Sequence, residues 1–424
     1  MVRPRLINLV VGLAAVLLLF TVLSHAAPTP VPPGDLYREG YLLFQKAEQA
    51  FNRGEFAEAA AGYRRAAGYF TAIREQSPGW SAESIESRLE SCRLRIAAAA
   101  TARAEEESWR NPLEIHFIDV GQGDCTLIRC PSGETILIDG GRIWVYSFLI
   151  DYLRRAGVKK IDLLVVSHPH GDHYGGLFKV LETFPITTLL DSGKEDTSEH
   201  YERYLQTVKS HDDILFKLAR AGDRLSFGDV QLLIMHPSYR LLESPNNCSI
   251  VVKLVYGDES FLFTGDAEEE AEMEMLSRGC NLKSGVLKIG HHGSRTSTGS
   301  SFLSRVAPRE AVIPVGENNS YGHPTDQVLR RLQMRRITIY RTDRDGTILY
   351  RSNGREHRVE FPGKAVYPEY DIPKEMIGKV AANRHTLIYY PPRSAYSRRI
   401  PPEDREYFDT ATAAEAAGYR RYWY

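Results

Sequence analysis

LLVVSHPHGDHYGGL, Leu163 to Leu177, is the stretch from which the fold can be read. Its apolar start, Leu163 to Val166, is a buried strand by pattern, and it runs directly into four metal-ligand side chains, His168, His170, Asp172 and His173. In an extended loop leaving a strand tip, His168 and His170 project to the same side, so both imidazoles can reach one divalent ion. Gly171 has no Cβ and lets the chain turn sharply, which brings Asp172 and His173 to a second ion. Gly175 and Gly176 then allow a helix to pack close behind. The bland alternative is a solvated loop of polar residues; further His and Asp residues downstream, where a binuclear site needs them, weigh against it.

To either side the texture is short apolar strands alternating with turns and helices. EIHFIDV, CTLIR and ILIDGG read as successive strands broken by GQGD and PSG turns. Helices are expected at Ser147 to Arg155, Leu177 to Thr183, Glu268 to Ser277, Phe302 to Val306 and Val328 to Leu332. Strands are expected at Val230 to Ile234, Ile250 to Tyr256, Ser260 to Thr264, Val286 to Ile289 and Ala311 to Val315. The mixture implies an α/β fold of two sheets sandwiched between outer helices, with a site at the strand ends.

The 424 residues, 43% of them apolar, suffice for one large catalytic domain with smaller appendages. A net charge of −1 gives no support to a strongly basic nucleic-acid-binding surface, so such a role would need a local patch. The cysteines, Cys92, Cys125, Cys130, Cys248 and Cys280, show no CxxC spacing, which argues against a thiolate zinc site or a redox motif.

Arg3 and Arg5 precede an apolar run from Leu9 to Leu23, followed by Ser24, Ala26 and Ala27: a secretory signal over residues 1–27. An uncleaved signal anchor is the alternative, and only then would the chain meet a membrane. Export places the protein in a bacterial periplasm or outside the cell, where a disulfide such as Cys125 to Cys130 can form. A Pro-rich spacer, residues 28–34, leads to a helical segment, 35–107, rich in Ala, Glu and Arg. Within it Ala47, Gly54, Phe56, Ala59, Tyr63 and Ala66 recur at offsets resembling a tetratricopeptide repeat. One repeat cannot bury a continuous core, so a plain helical hairpin that spaces or caps the next domain stands beside a groove for a protein partner.

Residues 112–362 carry FIDVGQGD, ILIDGG, SHPHGDHYGG, NNCSIVVKL, FLFTGD, LKIGHHGS and NSYGHP in that order. This series resembles the metallo-β-lactamase-fold hydrolases, and among them the soluble domain of ComEC-type competence proteins. The resemblance implies an αββα four-layer sandwich, preceded by the helical hairpin and followed by a small C-terminal module. No membrane channel like that of the competence proteins is read in these residues, so DNA uptake itself is not the expected role.

Two ions side by side need a bridging anion, and Asp266, at the tip of the strand SFLFT, is the natural carboxylate. His323, in a Gly-His-Pro turn after the strand AVIPV, falls where this fold usually supplies its last His ligand. His236, after VQLLIM, is either a ligand to the first ion or a structural residue. His291 and His292, past the strand GVLKI, resemble the leaving-group histidine of tRNase Z enzymes; a ligand role competes. Ser294 and Arg295 can hold phosphate oxygens, Arg through its planar fork. Asp139, Asn247 and Ser294 are expected to brace the loops by hydrogen bonding.

The reaction these parts imply is attack on phosphorus in line by a hydroxide shared by two zinc ions, with Asp172 in the catalytic set and Arg295 offsetting oxygen charge. Manganese or iron also fits such ligands. The expected substrate is a phosphodiester, DNA or a cell-envelope polymer. A carboxylic ester, thioester or lactone hydrolase keeps the metals and changes the bond; a noncatalytic envelope adaptor would act through residues 35–107 and the tail. That tail, residues 367–424, loosely resembles the zinc module of Ada-type proteins but has none of its cysteines, so no metal is expected in it.

Overall fold

The structure, a computed structural model of the chain, describes residues 31–367, 369, 371–392 and 394–422. The expected signal at residues 1–27 lies outside them, and among the described residues no helix is long and apolar enough to cross a membrane. The chain divides into two compact units after Ser108.

The first unit is three helices, α1 (Pro33–Asn52), α2 (Phe56–Gln76) and α3 (Ala82–Ser108). The sequence pattern implied a hairpin; α3 is the difference, and it is held because α1 and α2 alone leave a ring and a charge uncovered. Tyr63 of α2 packs edge-on against Phe44, its hydroxyl donates to Glu48, and Arg95 of α3 closes on the same carboxylate at 2.7 Å. A Cβ on Gly62 would stand 2.8 Å from that of Ala47, so the small residues do set a close α1–α2 approach.

The second unit contains two large sheets. The first is built from β1 (Leu113–Phe117), β2 (Thr126–Arg129), β3 (Thr135–Ile138), β4 (Ile161–Val166), β5 (Ile186–Asp191) and β6 (Leu215–Leu218). The other has β7 (Arg224–Phe227), β8 (Val230–His236), β9 (Val251–Tyr256), β10 (Glu259–Phe263), β11 (Val286–Lys288), β12 (Glu310–Ile313) and β13 (Thr338–Arg341). Strands β14 (Thr347–Ser352) and β15 (His357–Gly363) return to the first sheet, whose order is β15-β14-β1-β2-β3-β4-β5-β6; the second runs β13-β12-β11-β10-β9-β8-β7.

Helices α4 (Tyr146–Arg155), α5 (Leu177–Thr183) and α6 (Glu199–Lys209) cover the outside of the first sheet. Helices α7 (Glu269–Ser277), α8 (Ser300–Val306) and α9 (Asp326–Met334) cover the second. The layering is therefore helix, sheet, sheet, helix. Strand β4 shows why its apolar run is unbroken: Leu163 and Val165 enter the core between the sheets, while Leu164 and Val166 face the helices. Opposite them Leu232, Val252, Phe261, Val286 and Val312 fill the same inter-sheet core. Strand β6, exposed along its whole length, has no such two-sided burial, which is why its pattern did not stand out.

The same alternation corrects the expected disulfide. Cys125 packs with the outer layer and Cys130 with the inter-sheet core, on opposite faces of the first sheet, and all five cysteines are unpaired.

After β15 the chain forms a small sheet from β16 (Val380–Asn383), β17 (Ile388–Tyr390), β18 (Arg405–Phe408) and β19 (Arg420–Arg421), with helix α10 (Ala411–Ala416) before the last strand. Ala381, Ile388, Tyr390 and Ile400 join the outer core of α4 to α6. The Tyr146 hydroxyl donates to Asp404 at 2.7 Å, and Arg203 donates to the carbonyls of His385 and Thr386. Aromatic packing and these bonds dock the module on its own domain.

Candidate metal centre

Every histidine of the HPHGDH loop leaves the tip of β4 in the polar seam at the strand ends. Asp139, in left-handed backbone at φ 59° beyond β3, holds this loop from behind. Its Oδ1 accepts from the Ser167 amide at 2.8 Å, and its Oδ2 from the Ser167 hydroxyl and from His173 Nδ1 at 2.9 Å. With Nδ1 so engaged, His173 presents Nε2 to the site, 3.2 Å from Asp266 Oδ2. His168 is fully buried, its Nε2 3.9 Å from the same oxygen, and it pairs with His170 at 3.0 Å. Gly175 and Gly176 earn their place: a Cβ would stand 2.4 Å from Ile143 N at Gly175 and 2.2 Å from Gly140 O at Gly176.

Asp266 is the hub. Its carboxylate is 2% exposed and lies 3.2 Å from His173, 3.6 Å from His292 and 3.7 Å from His291. Among the described residues, ligand atoms converge within 4.8 Å in His168, His173 and Asp266, in Asp172, His173 and His292, and in Asp124, Asp139 and His173. His173 is common to all three groups.

Burial opposes charge throughout, and at Asp266 and His292 mutual attraction overrides it. Asp266 is held well below the usual carboxylate range by His173 and His292, despite its burial. Burial works against a charged His292 as well, but Asp266 and Asp124 push it up to about 10. His168 moves the other way, pulled down by burial and by the charge on His173. Fully buried His173 Nε2, His292 Nε2, Asp124 Oδ1 and Asp266 Oδ1 have no hydrogen-bond partner. Imidazole nitrogens and carboxylate oxygens left unsatisfied around one seam are the donor set that a divalent cation requires, so these residues fit a metal centre.

His292 and His291 part company. His292 is buried and donates Nδ1 to the Pro314 carbonyl at 2.9 Å, which turns Nε2 toward Asp172 and Asp266 as a ligand would be. His291 is a quarter exposed, and its Nδ1 lies 3.0 Å from Glu268. Both lie in left-handed backbone, φ 46° and 52°. His323, expected as the last ligand, is outside the ligand groups: its ring stacks near Tyr321 and lies 5.5 Å from that of His291. Burial, then the charges of His291 and His292, bring it down to about 4. Its Nδ1 is nonetheless buried without a hydrogen-bond partner, as are the Nε2 atoms of His173 and His292.

Three further candidates lie outside these groups. His236 follows a β-bulge in β8 that re-aims it: its Nδ1 meets the Ser249 carbonyl at 3.0 Å, its Nε2 lies 3.6 Å from Glu274, and it joins no ligand group. Arg295 is exposed in a separate groove beside α7 and α8. Asn247 braces α7 rather than the metal loop, its Oδ1 accepting from the amides of Glu268 and Ala271. Ser294 shares its hydroxyl with Thr296, shaping the HHGS turn.

Sequence reasoning missed Asp124, Arg142, Glu268 and Lys288. Lys288, buried on β11, donates to the Gly265 carbonyl at 2.6 Å and pairs with Asp124, so the seam carries a fixed cation of its own. Arg142 Nη2 lies 4.0 Å from Asp172 and donates to the Tyr321 hydroxyl at 2.8 Å. Asp124 and Lys288 sit inside the motifs FIDVGQGD and LKIGHHGS, which was the available signal.

The sequence model of the metallo-beta-lactamase superfamily matches residues 118–317. The chain carries a metallo-beta-lactamase superfamily domain. Over 275 residues it is 34% identical to ComE operon protein 3 of Bacillus subtilis, covering 61% of this chain and 35% of that one. Competence protein ComA of Neisseria gonorrhoeae is 30% identical over 241 residues, 57% of this chain and 32% of that protein. The match thus spans about a third of the length of these relatives. Among solved structures, CmlA, a diiron beta-hydroxylase from Streptomyces venezuelae, is 15% identical with a TM-score of 0.39, covering 64% of this chain and 60% of that one. The seam gathers metal-binding types of side chain at the strand ends of this fold.

Proposed function

We propose that the domain is a binuclear metal-dependent phosphodiesterase. The observation that carries this reading is the Glu268–His291 pair at the rim, next to Asp266 and outside the ligand groups. Glu268 fixes the His291 ring so that its Nε2 faces the seam, where a poor alkoxide leaving group needs a proton donor. His168, His173, Asp172, Asp266 and His292, with His170, would hold the ions, zinc by the donor chemistry. Bound there, divalent ions supply Lewis acidity, which brings water to a pKa of about 7. Arg142, beside Asp172, holds a substrate anion by its planar fork in the role expected of Arg295. Asp139 orients His173, and Lys288 compensates Asp124.

An exported phosphodiesterase acting on DNA or on a cell-envelope polymer, in the periplasm or outside the cell, fits the expected signal. Residues 35–107 would then serve as spacer or as a dock for a protein partner. The test compares a chromogenic phosphodiester, single-stranded DNA and a thioester with metal-loaded wild type and His168→Ala. Cleavage of a phosphodiester, lost in the variant, supports the proposal; thioester cleavage alone moves the bond to carbon, and cleavage of none leaves the adaptor reading.

A further inference from the structure

A cavity of about 280 Å³ opens beside Asp172, and its walls come from both ends of the second unit. Arg142, Asp172 and Tyr321 form one side; Ile388, Arg421 and Tyr422 of the C-terminal module form the other. The module does not merely lie near: the Tyr422 hydroxyl accepts from Trp144 Nε1 at 3.1 Å and from Arg142 Nη1 at 3.4 Å. The Tyr422 ring is fixed in turn by Tyr390 and Tyr396, with centroids 5.2 and 5.4 Å away. Arg142, 4.0 Å from Asp172, is thus clamped between a tyrosine of the sandwich and a tyrosine of the module. The cavity combines aromatic and aliphatic walls with two guanidinium groups, and it borders a carboxylate of the candidate metal centre.

Such a lining suits a flat ring attached to an anion: rings stack on tyrosine and guanidinium planes, and the anion pairs with arginine. Its size is near the lower end for small-molecule pockets, enough for one ring-bearing group and too small for a duplex. We infer that the C-terminal module is the specificity wall of the active site, selecting phosphate esters that carry one flat ring. The ring lies between Ile388 and Tyr422, and the phosphate turns to Arg142. This inference rests on the phosphodiesterase reading for its reaction but not for its binding.

Equilibrium titration of the zinc-loaded full chain with thymidine monophosphate and with inorganic phosphate tests it without turnover. Wild type should bind the nucleotide at least about tenfold more tightly than phosphate. Ile388→Trp fills the cavity and Tyr422→Ala removes its wall, and each should bring that ratio to within about threefold. Tyr422 is near the end of the described chain, so its variant carries the test even where Ile388→Trp disturbs β17. Equal affinities in wild type, or a preference kept by both variants, overturns the inference. Ring preference without cleavage of any diester supports the wall and removes only the hydrolytic reading. Diester cleavage without ring preference does the reverse.

Discussion

Glu268 Oε1 stands 3.0 Å from Nδ1 of His291, while the opposite nitrogen of that ring, Nε2, lies 3.7 Å from Asp266. The neighbouring His292 has its Nδ1 2.9 Å from the Pro314 carbonyl and 3.3 Å from the Asp124 carboxylate. Geometry divides the HH dipeptide: buried His292 turns Nε2 toward Asp172 and Asp266 inside a ligand group, while His291 stays at the rim outside all three.

His291→Gln should therefore lower phosphodiester turnover by about 10²–10⁴, most for alkoxide and least for nitrophenolate leaving groups, with metal content unchanged. His292→Ala should lose metal. Steady-state rates across a leaving-group series, with elemental analysis of each variant, decide it; an equal loss for all leaving groups would remove His291 as proton donor.

Metal should also stabilise the fold, because His173 Nε2, His292 Nε2 and Asp266 Oδ1 are buried without partners. At 100 times its Kd a bound ion adds about 2.7 kcal/mol, so chelation should lower Tm by roughly 5 °C for a domain of this size. Asp266→Ala should abolish the response. Identical melting curves with and without chelator, on protein shown to contain metal beforehand, would contradict this.

The two arginines should behave differently. Arg142→Ala should raise KM for a phosphodiester roughly tenfold or more, the value of a charge-assisted hydrogen bond. Arg295→Ala, in its separate groove, should stay within about twofold. The reverse ranking in kinetics would return the phosphate to the HHGS turn.

A pH effect on stability is expected far from the metal seam. His357 bridges Glu259 at 2.7 Å and Glu310 at 2.9 Å, with Arg309 near the first and the Tyr350 hydroxyl on the second. Burial opposes its charge, but the carboxylates hold it up, at about 9. The folded value is above the unfolded one of about 6.5, so the stabilisation is complete below pH ~6.5 and is lost as pH rises toward 9. Urea unfolding at both ends of that window should show a loss on the order of 1–3 kcal/mol, absent in His357→Gln. An unchanged slope in the variant would exclude the bridge as its source.

Gly176→Ala places a Cβ 2.2 Å from the Gly140 carbonyl, where backbone meets backbone. The cost should be about 2–4 kcal/mol, measured by denaturant midpoint, with loss of metal as the loop shifts. A midpoint equal to wild type would show that α5 can retreat.

The amino-acid sequence alone determined the four-layer architecture and the ligand loop, because both rest on local rules. Leu163 to Val166 must be a strand buried on both faces, whereas Gly171, expected to turn the chain sharply, opens a short helical turn with free space around it. Asp266 was legible for the same reason, at a strand tip after a glycine. Only the tertiary structure decided among the remaining candidates. A bulge at Ile234 to His236 swung one strand-end histidine to Ser249. Left-handed backbone at His291 and His292 sent adjacent imidazoles to different partners, and the turn is held by Ser297 donating to the Gly290 carbonyl at 2.6 Å. Arg142 and Tyr422, 280 positions apart, meet because the module folds back onto α4 to α6. Where a side chain points from a loop depends on what packs behind it, and that information lies in contacts between residues far apart in the chain.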